Sequence, residues 1–208
     1  MSLFSKVSTL CLFMITGLSA HEHWLFSESS HFSVGDAVEI SLRSGHAVGE
    51  SEFLIDTKLI QNAVVIHPDN TREPIQLMPQ GLEHIASFQA LEPGIYTILV
   101  NLRKRNKGPS IYLLKTQVQV GTQLNVFHPK PTQELEIMGG DSDTSFAIFA
   151  GTAPVKAPLT LLAPDGSERS LIMDREGLSR FSPGQPGLHV LICHFRRQTT
   201  SYSLYIGE

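Results

Sequence analysis

The sequence predicts an all-β protein, with two tandem immunoglobulin-like antiparallel β-sandwiches after a cleaved signal peptide. Three observations predict this fold class. Short apolar segments alternate with Pro-, Gly- and Asp-containing turns, no long segment has helical periodicity, and the chain repeats itself. The length of 208 residues is enough for one large domain or two small ones.

A secretory signal peptide is predicted at residues 1–20. Lys6 supplies the positive start, the apolar stretch 10–15 is too short to span a bilayer, and Ala20 ends a small-residue cleavage site. We therefore expect a periplasmic protein whose mature chain begins at His21. No later apolar run is long enough for a membrane span, so the mature chain is not expected to cross a membrane.

The repeat relates the two halves of the mature chain. Residues 92–104 resemble residues 185–197 at an offset of 93, and residues 64–70 resemble 160–166 at an offset of 96. Two matches in nearly the same register indicate duplication. We predict one sandwich at 21–126, a linker at 127–131 stiffened by Pro129 and Pro131, and a second sandwich at 132–208.

The repeat also predicts which side chains form the core. Alternation places one set of residues on the apolar face of a strand in each half. Cys193 belongs to this set, so we expect it to be a buried small hydrophobe rather than a reactive thiol. It is the single cysteine left after cleavage, so no intrachain disulfide can form. The two matching sets are Tyr96, Ile98, Val100 and Leu102, and His189, Leu191, Cys193 and Phe195.

Composition and motifs exclude several classes of function. The chain has 16 Lys and Arg against 20 Asp and Glu, whereas nucleic-acid binding requires a basic face, so no nucleic-acid partner is expected. The sequence contains no nucleophile elbow, zinc-protease motif, phosphate-binding glycine loop or Cys-x-x-Cys. No catalytic residue is assigned.

The predicted mature terminus is the strongest candidate site. A free α-amine followed by histidines at the first and third positions, His21 and His23, can surround Cu(II) or Ni(II) through the amine, backbone nitrogens and imidazoles. The two side chains share strand parity and point the same way. A surface pair that merely follows the cleavage site is the competing interpretation.

Two more histidines are candidate metal ligands. His46 follows the strand predicted at 36–43, so His21, His23 and His46 would converge if this strand pairs antiparallel with the one at 21–26. The convergence would be weaker if the two strands lay in opposite sheets. His194 lies near the end of a later strand, on the face opposite Cys193. By contrast, we expect His84 to be exposed, and Trp24 to pack under the first sandwich.

These residues resemble a family of uncharacterised periplasmic proteins associated with nickel and cobalt ABC uptake. The resemblance lies in the opening His21-Glu22-His23-Trp24-Leu25, in residues 32–38, in 42–46 ending on Gly45-His46, and in the closing Gly187 and His194. It implies two β-sandwich domains, export, and a link to divalent metal transport. It implies no enzyme activity.

Three functions compete at this point. The first is a periplasmic accessory protein that captures Ni(II), Co(II) or Cu(II) at His21, His23, His46 and His194 and passes it to a membrane metal transporter. The second is a non-catalytic tandem immunoglobulin-like module for binding or adhesion. The third is a copper oxidase with an N-terminal histidine, which the small number of aromatic residues disfavours.

Overall fold

The computed structural model describes residues 21–103, 111–122, 133–139, 145–182 and 184–206. The predicted signal peptide and the predicted linker at 127–131 lie outside these residues, so the domain boundaries stay predictions. The described residues form strands and one short 3-10 helix, η1 (Thr57–Leu59), and none of their helices is long and apolar enough to cross a membrane. The strands, in chain order, are β1 (Glu22–Phe26), β2 (His31–Phe32), β3 (Ala37–Gly45), β4 (Ile60–Ile66), β5 (Arg72–Pro74), β6 (Met78–Gln80), β7 (Glu83–Gln89), β8 (Gly94–Arg103), β9 (Ile111–Val120), β10 (Leu135–Gly139), β11 (Ser145–Ala150), β12 (Ala153–Val155), β13 (Leu159–Leu162), β14 (Glu168–Leu171), β15 (Leu178–Arg180), β16 (Gly187–Phe195) and β17 (Gln198–Ile206).

The described residues form three sheets, which confirms the prediction of an all-β fold of antiparallel sandwiches. The first sheet has the order β1-β3-β7-β6. The second has β11 at its centre, paired with β10, β12 and β15. The third, here called the central sheet, has nine strands: β2 pairs with β9 beside the main order β14-β13-β16-β17-β9-β8-β4-β5.

The central sheet runs through both halves of the repeat. Read outward from its middle, β9-β8-β4-β5 matches β17-β16-β13-β14, so equivalent strands occupy equivalent places. The two sets meet where β17 pairs with β9 in parallel, from Gln198 opposite Ile111 to Ser203 opposite Thr116. The halves are therefore joined by backbone pairing in addition to the chain that connects them.

The two main cores lie on opposite faces of the central sheet at this junction. Leu114 and Val118 of β9 point into the core of the first half, between the central sheet and the first sheet. Leu113 points to the other face and packs in the core of the second half. Because side chains alternate along a strand, β9 contributes to both cores.

The repeat is visible in its turns as well. Gly94 and Gly187 have φ of 139° and 125°, a region that glycine adopts without steric cost. Two residues after the first of these, the hydroxyl of Tyr96 donates to the Glu92 carbonyl at 3.1 Å and accepts from the Glu92 N–H at 3.0 Å. This contact is the tyrosine corner of immunoglobulin-like sandwiches. His189 occupies the equivalent position and is bonded through Nδ1 to the Gly187 carbonyl at 3.1 Å.

The apolar faces predicted from the repeat are confirmed. Tyr96, Ile98, Val100 and Leu102 belong to the first core, whereas Leu191 and Cys193 belong to the second, with Phe195 packed against it. Cys193 is fully buried, and burial raises the pKa of its thiol to about 12. This pKa leaves the thiol protonated and unreactive at neutral pH.

The prediction for Trp24 is wrong. Leu25 points into the first core, so alternation turns Trp24 to the other side of β1. There Trp24 is fully buried against Leu162, Leu188, Val190 and Ile192, which belong to the second half. The N-terminal strand therefore packs against both halves.

A buried ion pair joins β9 to β10. Lys115 of β9 and Glu136 of β10 approach to 2.6 Å with side chains 5% and 2% exposed. Lys115 also donates to the Ile137 carbonyl at 3.2 Å, and Glu136 accepts from the N–H of Gln133 at 3.0 Å. Burial lowers the pKa of Lys115, and the neighbouring carboxylate opposes that shift.

Candidate metal centre

Pairing of the first two long strands places His21 beside His46. β1 and β3 run antiparallel, with Glu22 opposite Gly45 and His23 opposite Ser44. His21 precedes Glu22 and His46 follows Gly45, so the two histidines face each other beyond the end of the ladder. Their ring centroids are 4.4 Å apart. The predicted antiparallel pairing is confirmed, and it brings His21 and His46 into contact.

Glu52 holds His46 by two hydrogen bonds. The backbone N–H of His46 donates to Oε1 at 2.8 Å, and Nδ1 of the ring lies 2.7 Å from Oε2. These bonds, backbone first, hold the pKa of the Glu52 carboxyl below its usual value. The backbone N–H of Glu52 donates to the Ser44 carbonyl at 2.8 Å, which folds the loop back onto the end of β3.

His23 lies on the same side of β1 as His21, and the ring of Phe53 contacts both imidazoles. The Phe53 centroid is 4.6 Å from that of His21 and 6.4 Å from that of His23. Nδ1 of His23 bonds the hydroxyl of Ser44 at 2.7 Å, and its ring packs on Tyr112 at 4.8 Å. Burial raises the pKa of the Tyr112 phenol, with a smaller contribution from the negative charge of Glu22.

His194 approaches β1 from the second half. Its Nε2 lies 3.5 Å from Oε1 of Glu22, and its Nδ1 lies 3.0 Å from Oγ1 of Thr199. Glu22 alternates with His21 and His23, so it projects from the other side of β1. The four predicted histidines therefore surround the start of one strand, with His194 on the far side of that strand from His21.

The donor set decides what this arrangement can bind. Within residues 21–103 and the other described segments, no three His, Cys, Asp or Glu side chains are placed so that they could hold a metal ion. His21 and His46 supply two imidazoles. The predicted cleavage after Ala20 would add a third nitrogen, the α-amine of His21. Two imidazoles and an amine are a donor set that suits Cu(II) and Ni(II), so the fit to these ions depends on the predicted cleavage.

Three residues of this site were not predicted from the sequence: Glu52, Ser44 and Phe53. Glu52 follows His46 by six positions in the same loop, and a carboxylate this close in sequence was a signal that it could contact the imidazole. Ser44 directly faces His23 across the β1–β3 ladder, so the register identifies it once pairing is assumed. Nothing in the local sequence indicates that Phe53 contacts the rings of His21 and His23.

The prediction that His84 is exposed is wrong. It lies on the same face of β7 as Ala86 and Phe88, which belong to the first core, and it is fully buried. Its Nε2 lies 3.1 Å from Oγ1 of Thr57, and burial lowers its pKa.

No protein-family model and no curated protein matches the chain. Among solved structures, a DUF4785 family protein from Legionella pneumophila is similar over 88% of this chain and 56% of that chain, at 12% identity and a TM-score of 0.35. Salmonella alpha-2-macroglobulin reacted with methylamine is similar over 89% of this chain and 15% of that one, at 10% identity and a TM-score of 0.36. Trypsin-activated alpha-2-macroglobulin from Escherichia coli gives 90%, 16%, 13% identity and 0.35. This chain therefore spans just over half of the first protein and about one sixth of the macroglobulins, and likenesses of this size carry no argument about its function.

Proposed function

We propose that this protein is a periplasmic accessory protein that binds a divalent transition metal, Ni(II), Co(II) or Cu(II), and passes it to a membrane transporter. The observation that carries the proposal is the contact between His21 and His46, with ring centroids 4.4 Å apart at the predicted mature terminus. The metal is cargo, so an exposed site at one end of a sandwich suits both capture and release. The resemblance to proteins of nickel and cobalt uptake supports the same class of ligand.

The backbone favours one set of donors over another. The N–H of Leu25 and the carbonyl of His23 face β17, where they bond Ser203 and Ser201 at 3.2 and 3.1 Å. Backbone groups alternate along a strand, so those of Glu22 face β3. A chelate that deprotonates the Glu22 amide would remove a hydrogen bond of the β1–β3 ladder. Metal binding through the amine and imidazole of His21 and the imidazole of His46 would remove no backbone hydrogen bond.

Calorimetry with Ni(II), Co(II) and Cu(II) tests the proposal on mature protein that begins at His21. One extra residue before His21 moves the amine away from both imidazoles, and we expect it to weaken binding sharply. His46→Ala should weaken binding as well. His67→Ala is the matched control, because His67 bonds Glu73 at 2.9 Å in a turn on another part of the first half. Equal affinity of the extended and free termini would refute the terminal site.

The same donors would also suit a copper site that activates oxygen. Oxygen uptake by the copper-loaded protein with an added reductant separates an oxidase from a carrier. A carrier gives no turnover above that of free copper. Failure of all three metals to bind would leave the non-catalytic binding module as the remaining candidate.

A further inference from the structure

The loop after β3 contacts both the backbone and the ring of His46. Glu52 accepts from the His46 backbone at Oε1, 2.8 Å away, and contacts the His46 ring at Oε2, 2.7 Å away. Its own N–H is bonded to the Ser44 carbonyl at 2.8 Å. One carboxylate therefore fixes both the backbone and the ring of His46.

This contact determines which ring nitrogen of His46 is available. An ionised carboxylate only accepts hydrogen bonds, so the hydrogen of a neutral imidazole bonded to it must lie on Nδ1. Nε2 then carries the lone pair. The two side chains are 46% and 44% exposed, so an ion in solvent can reach them.

Gly45 provides the space for the carboxylate. A Cβ added at Gly45 would lie 2.9 Å from Oε1 of Glu52 and 3.1 Å from its Cγ and Cδ. Any larger residue would have to displace the Glu52 side chain. Gly45 therefore contributes to the position of His46 without contacting its ring.

We propose that Glu52 is a positioning residue for metal binding: it holds His46 in the Nδ1–H tautomer, so that Nε2 is the nitrogen offered to a metal beside His21, and Gly45 admits its carboxylate. This inference rests on the proposed function. Carboxylates that orient a ligating histidine typically contribute about 10- to 100-fold in metal affinity. Glu52→Gln leaves a single acceptor oxygen. The His46 backbone N–H is a fixed donor and must take that oxygen, whereas the ring can change tautomer, so the NH2 group then faces Nδ1 and cannot accept a hydrogen bond from it.

The chain contains a matched control for this substitution. His67 and Glu73 form a second, partly exposed pair, with Nε2 of His67 2.9 Å from Oε2 of Glu73 and side chains 22% and 54% exposed. Glu73→Gln removes the same charge from a similar pair away from β1. Exposed pairs contribute little to stability, so both variants should fold, and equal thermal midpoints would verify this.

The experiment combines two measurements on mature protein that begins at His21. Titration with Cu(II) and Ni(II) alone should give affinities lower by about 10- to 100-fold for Glu52→Gln, and unchanged for Glu73→Gln. Gly45→Ala should lower the affinity in the same direction. Nitrogen NMR of the metal-free protein, about two pH units above the ordinary histidine pKa of ~6.5, should show the Nδ1–H tautomer of His46 in wild type and its loss in Glu52→Gln.

The outcomes separate the two proposals. If wild type binds metal and Glu52→Gln binds it equally well, the positioning role is refuted and the metal-binding function stands. If affinity falls without any change of tautomer in the metal-free protein, the positioning role is also refuted. If wild type binds none of Ni(II), Co(II) and Cu(II) in calorimetry, the proposed function fails, and the role of Glu52 fails with it.

Discussion

Removal of the Trp24 side chain should strongly destabilise the protein. Trp24 is fully buried, and its neighbours Leu162, Leu188, Val190 and Ile192 all come from the second half. An aromatic side chain of this kind buries ~150–250 Å². At ~25 cal/mol per Å² this burial corresponds to ~4–6 kcal/mol, and Trp→Ala substitutions in cores cost about 3–5 kcal/mol.

We therefore expect Trp24→Ala to lower the free energy of unfolding by about 3–5 kcal/mol, a large share of the ~5–15 kcal/mol typical of a domain. Trp24→Phe should cost less, since it keeps most of the apolar volume. It also removes an indole N–H that has no hydrogen-bond partner among the described residues. Ile172→Ala is the control, because Ile172 is 88% exposed and should change stability by less than ~0.5 kcal/mol.

Urea denaturation followed by circular dichroism measures these differences. Trp24 is the single tryptophan of the chain, so its fluorescence reports on this contact in wild type but is lost in the variants. A loss below ~1 kcal/mol for Trp24→Ala would refute the reasoning. It would mean that β1 is not packed against the second half in solution.

Three further predictions follow from buried polar and titratable groups. Glu136→Gln should cost about 3–5 kcal/mol in urea denaturation because it leaves Lys115 buried without its counter-ion, whereas Lys115→Met combined with Glu136→Leu should cost much less than that single change. Burial lowers the pKa of His84 in the folded state, so the stability it contributes is present above the unfolded pKa of ~6.5 and is lost as the pH falls below it. The urea midpoint of the wild type should accordingly decline from pH ~7 to ~5. The decline should be less steep in His84→Gln and as steep as in wild type in His31→Gln, whose histidine is exposed. Equal slopes in all three proteins would contradict this prediction. Cys193 should react with thiol reagents slowly in the native protein and fast after unfolding, and equal rates would show that its buried position is wrong.

Local pattern was enough to predict much of the fold. Alternation of apolar and polar residues, two Pro-Gly turns and an internal repeat indicate strands and their order, because these signals depend on neighbours in sequence. The convergence of His21 and His46 was also predictable, since antiparallel pairing places the start of one strand beside the end of the other. The sequence by itself therefore determined the fold class and the central contact of the candidate site.

Tertiary structure decided which partner each buried face meets. Alternation indicates that a strand has an apolar face but does not identify the surface that covers it. For this reason Trp24 was assigned to the wrong half, and His84 was expected to be exposed although it is buried. The parallel pairing of β17 with β9, which carries the central sheet through both halves, is likewise a long-range contact without a local signature.

In the candidate metal centre too, residue order predicts some features and the folded chain decides others. Two histidines and a predicted free amine could be read from residue order, but the position of Glu52 depends on how the loop after Gly45 folds back onto Ser44. A carboxylate can hold an imidazole only when distance and direction both suit the hydrogen bond. Residue order determined which donors this protein carries, and the folded loop decided which nitrogen of His46 is available to a ligand.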